Sequence, residues 1–492
     1  PKPMVRIANK PIMEHIINLL KKNGINDIAV TLQYMPEIIR DYFYDGKEFG
    51  VSLKYFVENI PLGTAGSVKN AEELLDENFV VISGDALTDI DLRRAYQYHE
   101  EKKSMATIVL KRVDVPLEYG IVVVNEDGRI VQLLEKPSWG EVFSDTVNTG
   151  VYILSPEIFK YYRKNERFDF SKDLFPELLK DNVPMYGYIT EDYWCDIGDI
   201  KAFLQSHIDI LDKKVDIEIS GKEIMNRIWI GKGTEIGKNV LLNSPCIIGK
   251  NCKIKNSSVI GDYSVIGDNN IIGERSGIKR SILWENNILD SNVQLRGSVL
   301  SSKVHIKNDC SAFEYSVIGD DTVVKEKAVI KPNIKIWPNK LIETCSEVNS
   351  SLVWGSKFVR TIFGNRGVAG DINIDITPEY ASKLGAAYGS MFKCNGKIGI
   401  SCDDSSAAMM FKTAFISGLM SSGIELFDLG VLLIPITRSS IRAYSLDGGI
   451  HISTSVENLK RLSVDFLDKN GSNIGRNTER KIENFFVRED FS

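Results

Sequence analysis

Between residues 230 and 272 an aliphatic side chain returns at every sixth position: Ile230, Ile236, Leu242, Ile248, Ile254, Ile260, Ile266 and Ile272, most of them followed directly by Gly. A strict six-residue period is the signature of a β-helix, in which each coil stacks its aliphatic ladder on the next and the glycine supplies permissive backbone at the corner. After one slip near 273–282 the period resumes at Ile282, Ile288, Leu300, Ile306, Ile318, Val324, Ile330 and Ile336, interrupted at Gln294 and Ala312. Such a solenoid exposes flat faces, and flat faces associate. Trp229, Trp284 and Trp337 are candidates for covering a neighbouring domain or a second subunit, so a homo-oligomer is expected.

The solenoid cannot be the whole protein, because 492 residues at 43% hydrophobic exceed one core and imply about three domains. Charges of both signs are well mixed around a formal net of -6, so nothing advertises nucleic acid or an anionic membrane, and small solutes are the expected partners. Seven cysteines without a CxxC pair, in a chain without an 18-residue apolar run or a signal-like start, read as reduced and cytoplasmic. The five histidines have no zinc spacing, which leaves a hard ion on carboxylates as the metal to look for.

Before the solenoid, helical and strand patterns alternate. Ile12, Ile16, Leu19 and Leu20 form one helical face that Gly24 stops, and "DIAVTL", "NFVVIS", "MATIVLKR" and "YGIVVVN" read as strands of a mostly parallel sheet with an antiparallel excursion. The run "NFVVISGDALTDID" ends in acid at Asp85, Asp89 and Asp91. Alone, Asp85 reads as a solvated strand-end residue or as a cation ligand. A second acid, Asp196 in "EDYWCDIGDI", lies in a turn that could join it, and two carboxylates with phosphate oxygens and water suit Mg²⁺. Lys2 and Lys136 stand beside prolines as point charges suited to phosphate, or as ordinary surface lysines. In "PLGTAG" the small residues Gly63, Thr64, Ala65 and Gly66 let a flat ring approach the backbone or simply turn the chain into a helix, and Asn148 and Thr149 ahead of an apolar run could grip sugar hydroxyls or form a turn.

Taken in order, PKPM, LGTAG, SGD, YG, EKP, NTG, FDFSKDLFP and YWCDIG resemble the sugar-1-phosphate nucleotidyltransferases, and most of all their mannose-1-phosphate guanylyltransferase branch. The resemblance implies an α/β, Rossmann-like transferase domain over 1–212 that uses an NTP, with guanine favoured, and a hexose 1-phosphate. By the same analogy Lys2, Asp85 and Asp196 are catalytic, and Asp85 and Asp196 bind Mg²⁺. Gly63, Thr64, Ala65 and Gly84 serve the nucleotide, while Gly120, Glu135, Lys136, Asn148 and Thr149 serve the sugar phosphate. Two departures stand out: the family's GGxGTR loop belongs just before Pro1, and Arg6 occupies a position where the family usually carries Pro. The region order, with "IFGNRGVAG" and "RKIENFFVRED", is similar to bacterial fusions of this transferase with a left-handed parallel β-helix, here 213–345, and a small α/β phosphohexomutase-like domain, here 358–492. "ETCSEVNSSLVWGSK" is the expected hinge.

In that last domain Ser455 of "GGIHISTSVEN" falls where the resemblance places a phosphorylatable serine, yet Val456, Glu457 and Asn458 replace the expected His, Asn and Pro, and "ISCDDSS" lacks the expected arginines. The implication is a mutase-like fold with a vestigial serine. Three other readings of the chain stay open: a glucose-1-phosphate nucleotidyltransferase that uses another NTP, a catalytically impaired sensor of nucleotide sugars, and an acyltransferase on His305, the one histidine of the hexad region, which lies beside an inward Ile306 and so points outward.

Overall fold

The computed structural model describes the chain except residues 59, 117–118, 136–143, 354–356, 359–361, 365–366, 393–395, 456–457, 459 and 489–492. It divides into two compact units, Pro1–Ile272 with Gly277–Asn286, and Gly273–Ser276 with Asn287–Ser492. In the first unit the face read from Ile12, Ile16, Leu19 and Leu20 is buried on the helix Ile12–Lys22. Beyond it, Asp27–Leu32 runs parallel to Ser52–Val57.

The central sheet is more antiparallel than the sequence suggested. The strand Thr146–Leu154 pairs antiparallel with Phe79–Ile82, Ala106–Arg112 and Gly120–Val124, and Gly120–Val124 returns antiparallel as Ile130–Glu135. Ala106–Arg112 with Met185–Thr190 is the parallel pair. For Gly120–Val124 with Ile130–Glu135 the reason is connection length: a parallel return needs a crossover of about a dozen residues, and these two strands are too close in sequence for one. Ile108, Leu110, Tyr152, Phe170 and Phe175 fill the core on one face of this sheet.

From Ile228 the first unit enters the β-helix. Residues three hexads apart stack in parallel register, Ile230 on Ile248 on Ile266 and Leu242 on Ile260. The second unit contains coils of the same kind, such as Leu289 on Ile306 on Val324. The inward ladder departs from the sequence reading after Ile272. It runs through Ile278, Leu283, Leu289, Leu295 and Leu300, all nearly inaccessible, while Ile288 is 38% exposed. Two steps of the ladder are one residue short, and at each the left-handed corner residue, Arg280 or Gly297, follows its inward residue by two places instead of three. Ala312 is an inward member of the ladder and not an interruption.

The glycines also work differently from the expectation. Corner backbone in the left-handed region is carried by mixed residue types: Asn239, Asn251, Asn269, Asn292, Asp309, Asp321 and Asn333, whose short polar side chains tolerate it, but also Ser257, Tyr263, Lys303 and Lys327, with glycine at Gly233 and Gly297. The glycines beside the inward residues are needed for space: a Cβ on Gly249 would lie 2.5 Å from the Gly267 carbonyl carbon, and one on Gly267 would lie 2.7 Å from the Trp284 oxygen. Of the tryptophans, Trp229 is buried under the Lys213 ammonium, and Trp337 is exposed. His305 lies on the outer surface within hydrogen-bonding range of Asp290.

The stretch read as a hinge is partly a coil, since Glu347–Val348 pairs in parallel with Val329–Ile330. The last region of the second unit forms a five-stranded sheet in the order Val368–Asp371, Arg461–Asp468, Gly448–Thr454, Lys397–Cys402, Glu425–Val431. Helices Pro378–Gly389 and Ser406–Ser421 cross closely at Gly385 and Gly418, where a Cβ at Gly385 would lie 2.8 Å from the Phe415 oxygen. Phe411, Phe415, Tyr388 and Phe466 form the core there.

The two glycine and corner roles make opposite predictions for substitution. Gly267→Ala should destabilise by about 2 kcal/mol, because backbone of the next coil must move, whereas Lys327→Gly, at an exposed corner with φ 59°, should be neutral or stabilising by up to about 1 kcal/mol. Thermal or denaturant unfolding of both variants reads the difference; equal losses would refute the assignment.

Candidate functional site

The three acids after Phe79–Ile82 have three separate employments. Asp91 caps the helix Leu92–Glu101 by accepting from the backbone of Arg93 and Arg94. Asp89 accepts the Tyr193 N–H at 2.8 Å and the Asp216 N–H at 2.7 Å, which ties its loop to the segment carrying Asp196. That leaves Asp85. Strand Ala86–Thr88 pairs antiparallel with Trp194–Asp196, Asp196 lies opposite Ala86, and the Ile197 N–H reaches the Asp85 carbonyl, so the two carboxylates arrive side by side.

Lys2 sits between them. Its Nζ lies 2.7 Å from Asp85 Oδ2 and 3.6 Å from Asp196 Oδ1, and the Ser83 hydroxyl donates to the other Asp85 oxygen at 2.5 Å. Burial pushes the Asp85 carboxyl up, but the hydrogen bonds from Lys2 and Ser83 outweigh it, and the net position is below the usual carboxylate range. For Lys2 burial acts downward, and the Asp85 hydrogen bond with the charges of Asp85 and Asp196 carries it above the ordinary lysine range. Two carboxylates aimed at one cation are hard oxygen donors of the kind Mg²⁺ takes. Among the described residues no group of three or more His, Cys, Asp or Glu is arranged to hold a metal ion.

The LGTAG residues begin the helix Gly63–Lys69. Gly63 has φ 72°, and a Cβ there would lie 2.6 Å from the Phe168 oxygen, while one on Gly66 would lie 2.6 Å from the Glu166 oxygen; within the protein the small residues admit a chain segment. Thr64 donates to Asp169 at 3.0 Å and accepts from the Phe170 N–H, and Ala65 is fully buried. Gly84 faces Pro3, and a Cβ on Gly84 would fall 3.2 Å from the proline ring, so the loop behind Asp85 and the Lys2 segment are in close contact.

Gly120 and Glu135, drawn from separate motifs, are direct cross-strand partners. Asn148 and Thr149 lie inside the strand Thr146–Leu154, at a shift in register, and do not form a turn between elements. Gly150 there has φ 75°. Asn148 donates to Tyr152 at 3.0 Å, and buried Thr149 donates to the Val109 carbonyl at 2.7 Å. Trp194, which sequence reasoning passed over, joins this wall to the acids: its indole N–H donates to the Thr149 carbonyl at 2.9 Å and its ring meets Tyr119 edge-on at 5.4 Å. Ser83 was also missed, although it stands inside the SGD motif. Lys136 lies outside the described residues, as do Val456 and Glu457.

In the second unit the Ser455 N–H bonds the Arg461 carbonyl. Next to it, Asp403 takes the Thr454 N–H at 2.6 Å and hydroxyl at 3.0 Å on one oxygen, and the Ser405 N–H and hydroxyl on the other. Burial raises the Asp403 carboxyl, and these four donors outweigh it and bring it below the usual range.

A Rossmann-like sheet thus delivers two acids and a lysine to one point, with a small-residue loop and the Trp194–Thr149 contact as further parts of the same domain. Residues 1–213 match the family model described as nucleotidyl transferase, 242–352 the GMPPB C-terminal domain, and 360–492 the phosphoglucomutase/phosphomannomutase alpha/beta/alpha domain I. The chain is 33% identical to a mannose-1-phosphate guanyltransferase of Debaryomyces hansenii over 70% of this chain and 92% of that protein, and 32% identical to one of Candida albicans over 72% and 94%. It is also 37% identical to a UTP–glucose-1-phosphate uridylyltransferase of Synechocystis over 47% of this chain, spanning 63% of that protein. The chain therefore belongs to the sugar-1-phosphate nucleotidyltransferase family.

The electrostatics fix a sign. Asp85, with its pKa lowered in the fold, contributes stability that is complete above the ordinary carboxylate value of 3.8 and is lost as pH falls through its depressed value. Ser83→Ala removes a donor and should move the Asp85 titration upward, read by carboxyl-carbon NMR; an unmoved midpoint would remove Ser83 from the site.

Proposed function

We propose that the first domain transfers a nucleotidyl group from an NTP to a hexose 1-phosphate, releasing pyrophosphate, with GTP and mannose 1-phosphate as the preferred pair. The observation that carries the reading is the convergence of Lys2, Asp85 and Asp196 on one point. The preference rests on the two mannose-1-phosphate guanyltransferases, most of whose length this chain spans. UTP with glucose 1-phosphate is the second reading, favoured by the higher identity to the uridylyltransferase.

In this reading a sugar-phosphate oxygen attacks the α-phosphorus in line while the bond to pyrophosphate breaks, and little proton transfer is required. The Lys2 ammonium, steadied by both acids, is placed to offset phosphate charge, and positioning with charge stabilisation supplies the rate. Asp85 and Asp196 would hold Mg²⁺, whose contribution when bound is to neutralise phosphate oxygens. Gly120 and Glu135 shape the sugar side, and the backbone around Gly63 and Gly84 the nucleotide side. The Ser455 domain serves packing or partner binding in this reading, because the carboxylate of Asp403, held by the neighbouring Thr454, brings negative charge to the segment where a phosphoserine would need cations.

Pyrophosphate release from a panel of NTPs against sugar 1-phosphates tests the reaction. Asp85→Asn and Asp196→Asn should each lower turnover by at least about 100-fold with the fold intact. Near-normal rates in both would eliminate the proposed roles. With hexose 1-phosphate, Mg²⁺ and a bisphosphate activator no hexose 6-phosphate should form; product that depends on Ser455 would establish a mutase after all.

A further inference from the structure

The residue without a family explanation, Arg6, has a partner in the structure. Its Nη2 lies 2.8 Å from Glu285 Oε1, a residue of the β-helix, and both side chains are about three-quarters shielded, at 26% and 27% exposure. Arg6 opens a tight hairpin: Arg6 and Ile7 pair antiparallel with Pro11 and Lys10. Its two turn residues, Ala8 and Asn9, are left-handed, with φ 47° and 69°. A left-handed alanine costs on the order of 1 kcal/mol, so surrounding contacts must impose it.

Those contacts come from two directions. The transferase domain supplies neutral imidazoles: His207 donates through Nδ1 to the Phe203 carbonyl and so accepts the Ala8 N–H on Nε2 at 3.2 Å, and His15 lies 2.9 Å from the Ile7 carbonyl. Burial pushes His207 down to about 4, which keeps it an acceptor near neutral pH. The β-helix supplies the rest. The Asn9 amide donates to the Ile266 carbonyl at 2.9 Å, and Ile266 and Glu285 belong to neighbouring coils, with Ile266 paired to Leu283.

On its other side the hairpin runs straight into the Lys2 segment. Val5 donates to the Lys2 carbonyl and Ile12 donates to the Val5 carbonyl, each at 3.0 Å. The ammonium that bridges the two acids is therefore four residues from a guanidinium anchored on the β-helix. We propose that Arg6, Asn9 and Glu285 are positioning residues, through which the β-helix sets the place of Lys2 against Asp85 and Asp196. This rests on the transferase reading above. A second attachment of the same coils, the Tyr263 hydroxyl on Asp212 at 3.0 Å, meets the end of the helix Ile200–Leu211 beyond His207, touches neither the hairpin nor Lys2 directly, and serves as the internal comparison.

The experiment has a chemical and a kinetic readout on the full chain. Trace acylation followed by mass spectrometry reports how tightly the acids hold Lys2, independently of turnover. Arg6→Ala and Glu285→Ala should each raise Lys2 labelling about threefold and lower kcat on the order of tenfold, with KM for the nucleotide within about twofold. The reversed pair, Arg6→Glu with Glu285→Arg, should bring both back toward the parent, and Tyr263→Phe should change neither. Unchanged Lys2 labelling in both folded single variants overturns the proposal. A labelling change in a protein whose parent releases no pyrophosphate keeps the coupling and removes the transferase reading.

Discussion

One ammonium held between two carboxylates organises the first unit. Asp85 and Asp196 could not share a point unscreened, since like charges a few ångströms apart repel strongly in a partly buried setting. Lys2 offsets that repulsion, and much of the nearby polar structure keeps the three groups in register. Ser83 occupies the Asp85 oxygen that Lys2 leaves free, Asp89 clamps the backbone at Tyr193, and the Thr88 hydroxyl donates to the Tyr193 carbonyl at 2.7 Å. Each of these is a modest interaction, on the order of 1 kcal/mol. Together they fix where the ammonium and the two carboxylates stand.

The β-helix obeys a different constraint, the close approach of successive coils. At Gly231, Gly249, Gly267 and Gly273 backbone of the next turn occupies the Cβ position, so those coils need glycine there; where the coil turns, Asn, Asp and several larger residues serve because the strain is conformational and local. The separation explains how the hexad tolerates two shortened steps. A corner can lose one residue if its left-handed member moves one place closer, and the aliphatic ladder continues through Leu283 and Leu300.

The mutase-like region shows how a fold can persist while local electrostatics change. Its sheet is complete across the described strands, and Tyr388, Phe411, Phe415 and Phe466 pack as a continuous core. At the Ser455 loop, however, an acid satisfied by hydroxyl and amide donors occupies the place beside the serine. Packing depends on apolar periodicity, which the sequence retains, whereas phosphate handling depends on a few cations at defined positions.

The sequence by itself determined the region order, the hexad solenoid, the strands around Asp85 and the identity of the acids and lysine, because periodicity and motif spacing are local and survive without knowledge of packing. It could not determine sheet direction, since strand pairing is a long-range choice that the alternation of apolar residues leaves open. It left Asn148 and Thr149 ahead of an apolar run open between sugar ligands and a turn, because a bulge near Gly150 inside a strand has no periodic signature. The ladder phase after Ile272 was misassigned because Ile282 and Leu283 are equally apolar, and only stacking on Val265 and Ile266 chooses between them. Above all, tertiary structure alone decided the partners of Lys2 and Arg6. Both contacts join residues remote in the chain, and the distance between charges that makes either one matter exists only after the fold has formed.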